Sequence, residues 1–239
     1  MLQQAREILV QISELSTCAV EIARPLSTRL RLGIIPSIAP YVLPRILKTL
    51  EVRYPDLKLY VREGLTHSLL DDVRHGRLDA AFVADLVRLD DLHFEEVGRD
   101  PLLIAVPEGH RLATRKRVRA ADLSDEKLLL LDQGHCLRQH VLTAVGRDDI
   151  AEESAVSAYT IATLVHMVEA GMGVTLIPQI AVWAGAVNQS RVATIPFEAP
   201  RAWRALGLAW RGRATRVGDL AALSAHLRDH CLGEAALTS

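Results

Sequence analysis

Leu30-Arg31-Leu32-Gly33-Ile34-Ile35-Pro36-Ser37 sets the reading of the whole chain. An apolar run this short, closed by a proline, reads as a buried strand. Ser37 then offers a side-chain oxygen suited to capping a helix, and a helix is predicted from about Tyr41 to Arg53. The next residues repeat the unit. Leu57 to Glu63 reads as a strand, Thr66 as a cap, Ser68 to Arg74 as a helix, and Leu78-Asp79-Ala80-Ala81-Phe82-Val83 as a strand. Strands that alternate with helices predict a parallel or mixed sheet.

A second set of units starts at Pro101. Leu102 to Val106 and Lys127 to Asp132 read as strands, and a helix is predicted to begin near Cys136. Further strands are expected near Val156, over Gly173 to Ile177 and over Val192 to Ile195. A helix from Ile161 to Ala170 closes on the glycine-rich Gly171-Met172-Gly173. Ala205 to Trp210 reads as a last strand and Val217 to Cys231 as a closing amphipathic helix. The chain thus divides into two α/β halves, 25–99 with 204–239 and 100–203, with changeovers near Gly98 to Pro101 and Pro200 to Arg204. The expected fold is two Rossmann-like subdomains with a hinge. Its ligand cleft is expected at the carboxyl ends of the strands, where helix N-termini supply amide donors.

Before the first strand, Leu2, Ala5, Leu9, Ile12, Leu15, Ala19 and Ile22 recur at spacings of three and four, the mark of an amphipathic helix over residues 1–24. Its apolar stripe either meets another copy of itself or docks on the domain that follows.

Composition narrows the function. A net charge of −1 lacks the basic excess with which a free-standing nucleic-acid binder neutralises phosphates. Any DNA contact is therefore expected through a segment outside this chain. The three cysteines, Cys18, Cys136 and Cys231, form no CxxC pair, which argues against a zinc site and a disulfide framework and fits a reducing cytoplasm. No secretory leader and no apolar run of about 20 residues is read, so export and membrane insertion are not expected. No HExxH, GxSxG or P-loop is present, and His67, His75, His110, His140 and His166 do not fall at metal-ligand spacing. Neither an enzyme, a metal nor a cofactor is expected.

Several pieces of the sequence, in order, resemble one family. They are Gly33-Ile34-Ile35-Pro36-Ser37 with Pro40-Tyr41-Val42-Leu43-Pro44, then Tyr54-Pro55-Asp56-Leu57, Glu63-Gly64 and Gly76-Arg77-Leu78-Asp79-Ala80. Glu169-Ala170-Gly171-Met172-Gly173-Val174 before Leu176-Ile177-Pro178 completes the set. Together they look like the effector-binding domain of LysR-type transcription regulators, over nearly the whole chain. The resemblance implies a fold like the type 2 periplasmic binding proteins and assembly as a homodimer or homotetramer. It also implies that residues 1–24 are the tail of a linker helix, with DNA bound only through an N-terminal helix-turn-helix domain that is missing here.

Within that family, Leu128-Leu129-Leu130-Leu131-Asp132-Gln133-Gly134-His135-Cys136-Leu137-Arg138 is similar to the stretch carrying the reactive cysteine of the peroxide-sensing OxyR branch. A cysteine attacks peroxide as the thiolate, and a thiol of ordinary pKa, about 8.5, is mostly protonated at neutral pH. The first turn of a helix provides unpaired amides and the positive dipole end beside Cys136, and His135 and Arg138 can add donors or positive charge. The resemblance further implies that the hydroxyls of Ser37 and Thr66 surround the peroxide. Taken alone, Cys136 would be a small buried apolar residue, Ser37 and Thr66 plain helix caps, and His135 and Arg138 structural residues.

Two positions depart from the pattern. Val145 stands where the branch usually carries a resolving cysteine, and Gln139 where it usually carries an aspartate. A disulfide within that segment cannot form, so oxidised Cys136 is left to stop at the sulfenic acid, to be capped by a small thiol, or to pair with Cys18 or Cys231. The alternative is a regulator that binds a small organic effector in the cleft, with Ser37, Thr66, Thr160 and Thr163 holding a carboxylate through hydroxyls and helix-end amides.

Overall fold

A computed structural model describes residues 25–85, 91–147, 157–200, 202–212, 214 and 216–231. The helix expected over 1–24, with Cys18, lies outside the described residues. The described residues form two compact units, one of 25–98 together with 206–231, the other of 99–205.

In the first unit the opening strand forms as expected. β1 (Arg29–Ile34) has Leu30, Leu32 and Ile34 buried and pairs in parallel with both β2 (Lys58–Glu63) and β3 (Ala80–Ala84). β10 (Trp203–Arg211) lies antiparallel to β3, with Leu208 opposite Phe82, so the sheet is mixed. Between the strands run α1 (Ala39–Arg53) and α2 (Thr66–Arg74), and α6 (Val217–His230) packs on α1, where the Thr49 hydroxyl meets His226 Nε2 at 2.8 Å. Gly207 sits where β10 is crossed closely: a Cβ there would lie 2.7 Å from the Glu95 carbonyl oxygen and against the Phe94 ring.

The cap readings of Ser37 and Thr66 are corrected. Ile38 and Leu65 are the N-cap residues, and neither helix has a side-chain cap bond. Pro40 in the first turn of α1 has no amide to satisfy. Thr66 is already the first helical residue, so its hydroxyl does not reach the position from which a cap accepts.

In the second unit, β4 (Leu92–Pro107) runs antiparallel between β8 (Thr175–Pro178) and β9 (Val192–Glu198), and β5 (Val118–Arg119) adds to β9 in parallel. The strand expected over Lys127 to Asp132 is reduced to β6 (Leu130–Leu131), paired with β7 (Ser157–Ala158). Ahead of it Leu128 makes an isolated bridge to Val174. The other helices are α3 (Cys136–Val145), α4 (Ile161–Glu169) and α5 (Gln179–Trp183), the last not foreseen.

A fully buried ion pair organises this unit. Asp100 on β4 accepts from Arg204 Nε and Nη2 on β10, each at 2.9 Å, and its other oxygen accepts from the Ile180 amide at the start of α5 at 3.0 Å. Burial pushes the Asp100 carboxyl up, against the opposing pull of Arg204 and the backbone amides.

Candidate functional site

The sulfur-bearing residue stands at the head of α3. After β6 the chain makes a tight turn in which Gly134 takes φ +90°, a conformation that favours glycine, and His135 returns to extended backbone as the N-cap. Cys136 is therefore the first residue of the helix, half-buried, at the amide end of its first turn. Leu137, Val141, Leu142, Ala144 and Val145 bury the helix, and it ends at Gly146 in the left-handed conformation, φ +68°.

His135 is buried, and burial pushes its pKa down while the nearby Asp132 carboxylate pulls it back up. Its ring meets the edge of Tyr159 with centroids 6.3 Å apart. Arg138 folds back on the preceding strand, its guanidinium donating to the Leu131 carbonyl at 3.1 Å. It thus anchors the first turn of α3 to the end of β6. One turn below Cys136 lies His140, buried and held neutral down to about 3 by burial and by the charge of Arg204.

Thr160 and Thr163 belong to the same unit, at the start of α4. Thr160 is a true N-cap: its oxygen accepts from the Thr163 amide at 3.1 Å, and the two hydroxyls meet at 3.0 Å. Ser37 and Thr66 belong to the other unit. Both are buried, and Thr66 Oγ1 has no hydrogen-bond partner among the described residues. Burying a hydroxyl without a partner is costly; the Ser224 hydroxyl and His226 Nδ1 of the same unit are likewise buried without one among the described residues.

Sequence reasoning missed three members of this neighbourhood. Asp132 accepts from the Gln133 amide at 2.8 Å, and the neighbouring Tyr159 hydroxyl, above all, holds its carboxyl below the usual range. Tyr159 is largely exposed, and an exposed tyrosine ahead of a threonine cap carries no pattern that singles it out. Arg204 carries no motif in the sequence and falls at the second changeover. Among the described residues no group of histidine, cysteine, aspartate and glutamate is arranged to hold a metal, and no helix is long and apolar enough to cross a membrane.

Comparison with known proteins places these observations in a family context. The model described as the LysR substrate binding domain matches residues 23–232. A Mycobacterium avium protein described as a probable hydrogen peroxide-inducible genes activator is 38% identical over 231 residues, covering 95% of this chain and 74% of that protein. The reduced regulatory domain of OxyR2 from Vibrio vulnificus superimposes with a TM-score of 0.79 at 33% identity, covering 87% of this chain and 97% of that one. A cysteine-variant OxyR from Corynebacterium glutamicum, solved with hydrogen peroxide bound, gives a TM-score of 0.84 at 28% identity, over 93% of this chain and 71% of that one.

Proposed function

The chain belongs to the LysR substrate-binding domain family, and from that premise we propose that it is the sensory domain of a transcription regulator that detects hydrogen peroxide through oxidation of Cys136. The family is one of regulators rather than of enzymes. The observation that carries the proposal is Cys136 itself: a half-buried thiol on the first turn of α3, directly after a buried histidine. Support comes from relatives named as peroxide-inducible activators and from a neighbour solved with hydrogen peroxide bound. On this reading the sulfur, as thiolate, attacks one peroxide oxygen and the O–O bond breaks. The sulfur becomes a sulfenic acid, and the other oxygen leaves as hydroxide and takes a proton to form water. The hydroxyls of Ser37 and Thr66 belong to the ligand set that goes with this reading.

The oxidised state differs from a disulfide switch. Cys136 is the sole cysteine of residues 99–205, and Val145 closes the same helix as a buried core residue. Cys231 belongs to the other unit and is 2% exposed. The sulfenic acid therefore either persists or is met by a thiol from outside the unit. Contact with DNA is assigned to a segment outside this chain, and assembly as a homodimer or homotetramer is part of the same proposal. The exposed apolar residues Leu47, Val52, Tyr60 and Val61 of α1 and β2 offer it surface.

Dimedone trapping after dilute peroxide, read by peptide mass spectrometry, tests the proposal. A dimedone adduct on the Cys136 peptide, lost in Cys136→Ser, is the expected result. An unmodified Cys136 favours the second reading, reversible binding of a small organic effector, for which the buried hydroxyl of Thr66 would serve equally well.

A further inference from the structure

Leu26 has a backbone that residues with a side chain rarely adopt. Its φ is +55°, in the left-handed region where Cβ crowds the following carbonyl, yet the residue is almost wholly buried. The other described non-glycine residue in that region, Gln189, is exposed. A strained conformation in the interior persists only where its surroundings over-determine it.

The surroundings are a row of charges. The Leu26 amide donates to Oδ1 of Asp219, in the first turn of α6. The Asp219 side chain is 0% exposed, and its Oδ2 accepts from Arg216 Nη2 at 2.7 Å and Nε at 3.2 Å. Arg216, the N-cap residue of α6, reaches further along the entering chain. Its Nη2 donates to Thr28 Oγ1 at 2.8 Å and its Nη1 to the Arg29 carbonyl, with Nη1 lying 3.7 Å from Asp79 Oδ2. Asp79, just ahead of β3, accepts from the Arg31 amide and from Arg31 Nη2, each at 2.7 Å. Within residues 26–31 the amide of Leu26, the hydroxyl of Thr28, the carbonyl of Arg29 and the amide of Arg31 are thus all bonded to Asp219, Arg216 or Asp79. Removing one member of such a row leaves a buried charge without its partner, so the row holds or fails as a unit. Burial of the leucine alone does not require a left-handed backbone. Aiming its amide at Asp219 while its side chain enters the core does.

We propose that Asp219 and Arg216 form a clamp that holds Leu26 in its left-handed conformation and so fixes the direction in which residues 1–24 join the first unit. The chain ahead of Pro25 then has no free swivel where it meets that unit: α6 and the start of β3 set its direction. Opening the clamp lets Leu26 return to negative φ and redirects the chain ahead of it. Every part of the clamp lies in the first unit, so it is independent of the chemistry of Cys136 in the second.

The test compares Leu26→Gly with Leu26→Ala by urea unfolding, once in the otherwise unaltered chain and once together with Asp219→Ala. Both substitutions cut the leucine back to at most one carbon, so their difference reads the backbone. At a position of ordinary φ the alanine variant is the more stable, and at a left-handed one the glycine variant is. With the clamp intact, Leu26→Gly should exceed Leu26→Ala in folding equilibrium constant by roughly two- to fivefold, and with Asp219→Ala that lead should shrink or reverse. Leu26→Ala as stable as Leu26→Gly with the clamp intact overturns the strained conformation. An undiminished lead for Leu26→Gly in Asp219→Ala shows that Asp219 does not hold the strain and overturns the clamp. Residue-resolved hydrogen exchange on the unaltered chain depends on no variant's folding. The Leu26 amide, given to a buried carboxylate, should exchange at least roughly a hundredfold more slowly than an unprotected amide. Exchange near the unprotected rate overturns the clamp as well.

Discussion

Replacing Thr66 by valine exchanges a buried, unbonded hydroxyl for a methyl group of nearly the same shape. Thr66 is 5% exposed at the first position of α2, and its oxygen has no protein partner among the described residues. Keeping a hydroxyl in such a place costs about 1–3 kcal/mol by the yardstick of protein substitutions, while threonine and valine differ little in helix propensity. Thr66→Val should therefore stabilise the domain by about 1–2 kcal/mol. At roughly 2–4 °C per kcal/mol for a domain of this size, the melting temperature should rise by about 2–8 °C. Urea unfolding should show a higher midpoint with an unchanged slope. Function should move the other way. Valine can neither donate to nor accept from a peroxide, so oxidation of Cys136 should slow in Thr66→Val and be preserved in Thr66→Ser. Gain in stability with loss of reactivity is the signature of a polar group kept for a ligand. A Thr66→Val protein that loses stability would show that the hydroxyl is already well bonded in the folded chain, and the reasoning would fail.

Arg204→Met leaves the Asp100 carboxylate buried without its counter-charge and should cost about 3–5 kcal/mol, whereas Arg204→Met with Asp100→Leu should recover much of the loss; chemical denaturation measures both. His140 is neutral in the folded state down to about 3, while an unfolded histidine takes its proton near 6.5. Its depressed folded value means that the unfolded chain binds the extra proton, so stability is complete above about 6.5 and falls as pH drops toward 3. At about 1.4 kcal/mol per pH unit the loss reaches at most roughly 5 kcal/mol. His140→Gln should flatten that slope in acid-unfolding curves, leaving the smaller contributions in the same direction from His135 and His226. Val145→Cys puts a second thiol nine residues along an intact helix, about 13 Å away by helical rise, well beyond the roughly 7 Å limit for a disulfide. A peroxide-dependent bridge in that variant should therefore appear only together with a loss of helical circular dichroism.

The alternation of elements was legible because β1, β3 and β10 are covered strongly enough to read as apolar runs, Leu30 to Ile35, Ala80 to Val83 and Ala205 to Trp210. Lys127 to Asp132 reads equally apolar yet forms only a two-residue strand. Leu128 and Leu129 are spent instead on contacts with Val174 and Thr175, the latter donating its hydroxyl to the Leu129 carbonyl at 2.7 Å. The early half of β4, from Leu92, was invisible because exposed His93 and Glu96 interrupt its apolar pattern. In the site, Cys136 and His135 stood out through a local resemblance, and the start of α3 fell where that stretch implied. Asp132 and Tyr159 did not stand out, since they meet only after β6 and β7 pair. Ser37 and Thr66 read as caps because residue type alone cannot tell a cap from the residue before it, as at Ser37, or from the first helical residue, as at Thr66.

The central claim is that Cys136 is selected by its surroundings for reaction with hydrogen peroxide. With less than one equivalent of peroxide, quantitative mass spectrometry of the Cys136 and Cys231 peptides from the same folded sample compares the half-buried thiol with the buried one as an internal control. Oxidation concentrated on Cys136 and abolished by prior unfolding is the predicted result. Oxidation that is absent, or that proceeds no faster at Cys136 in the folded protein than in the unfolded chain, would contradict it.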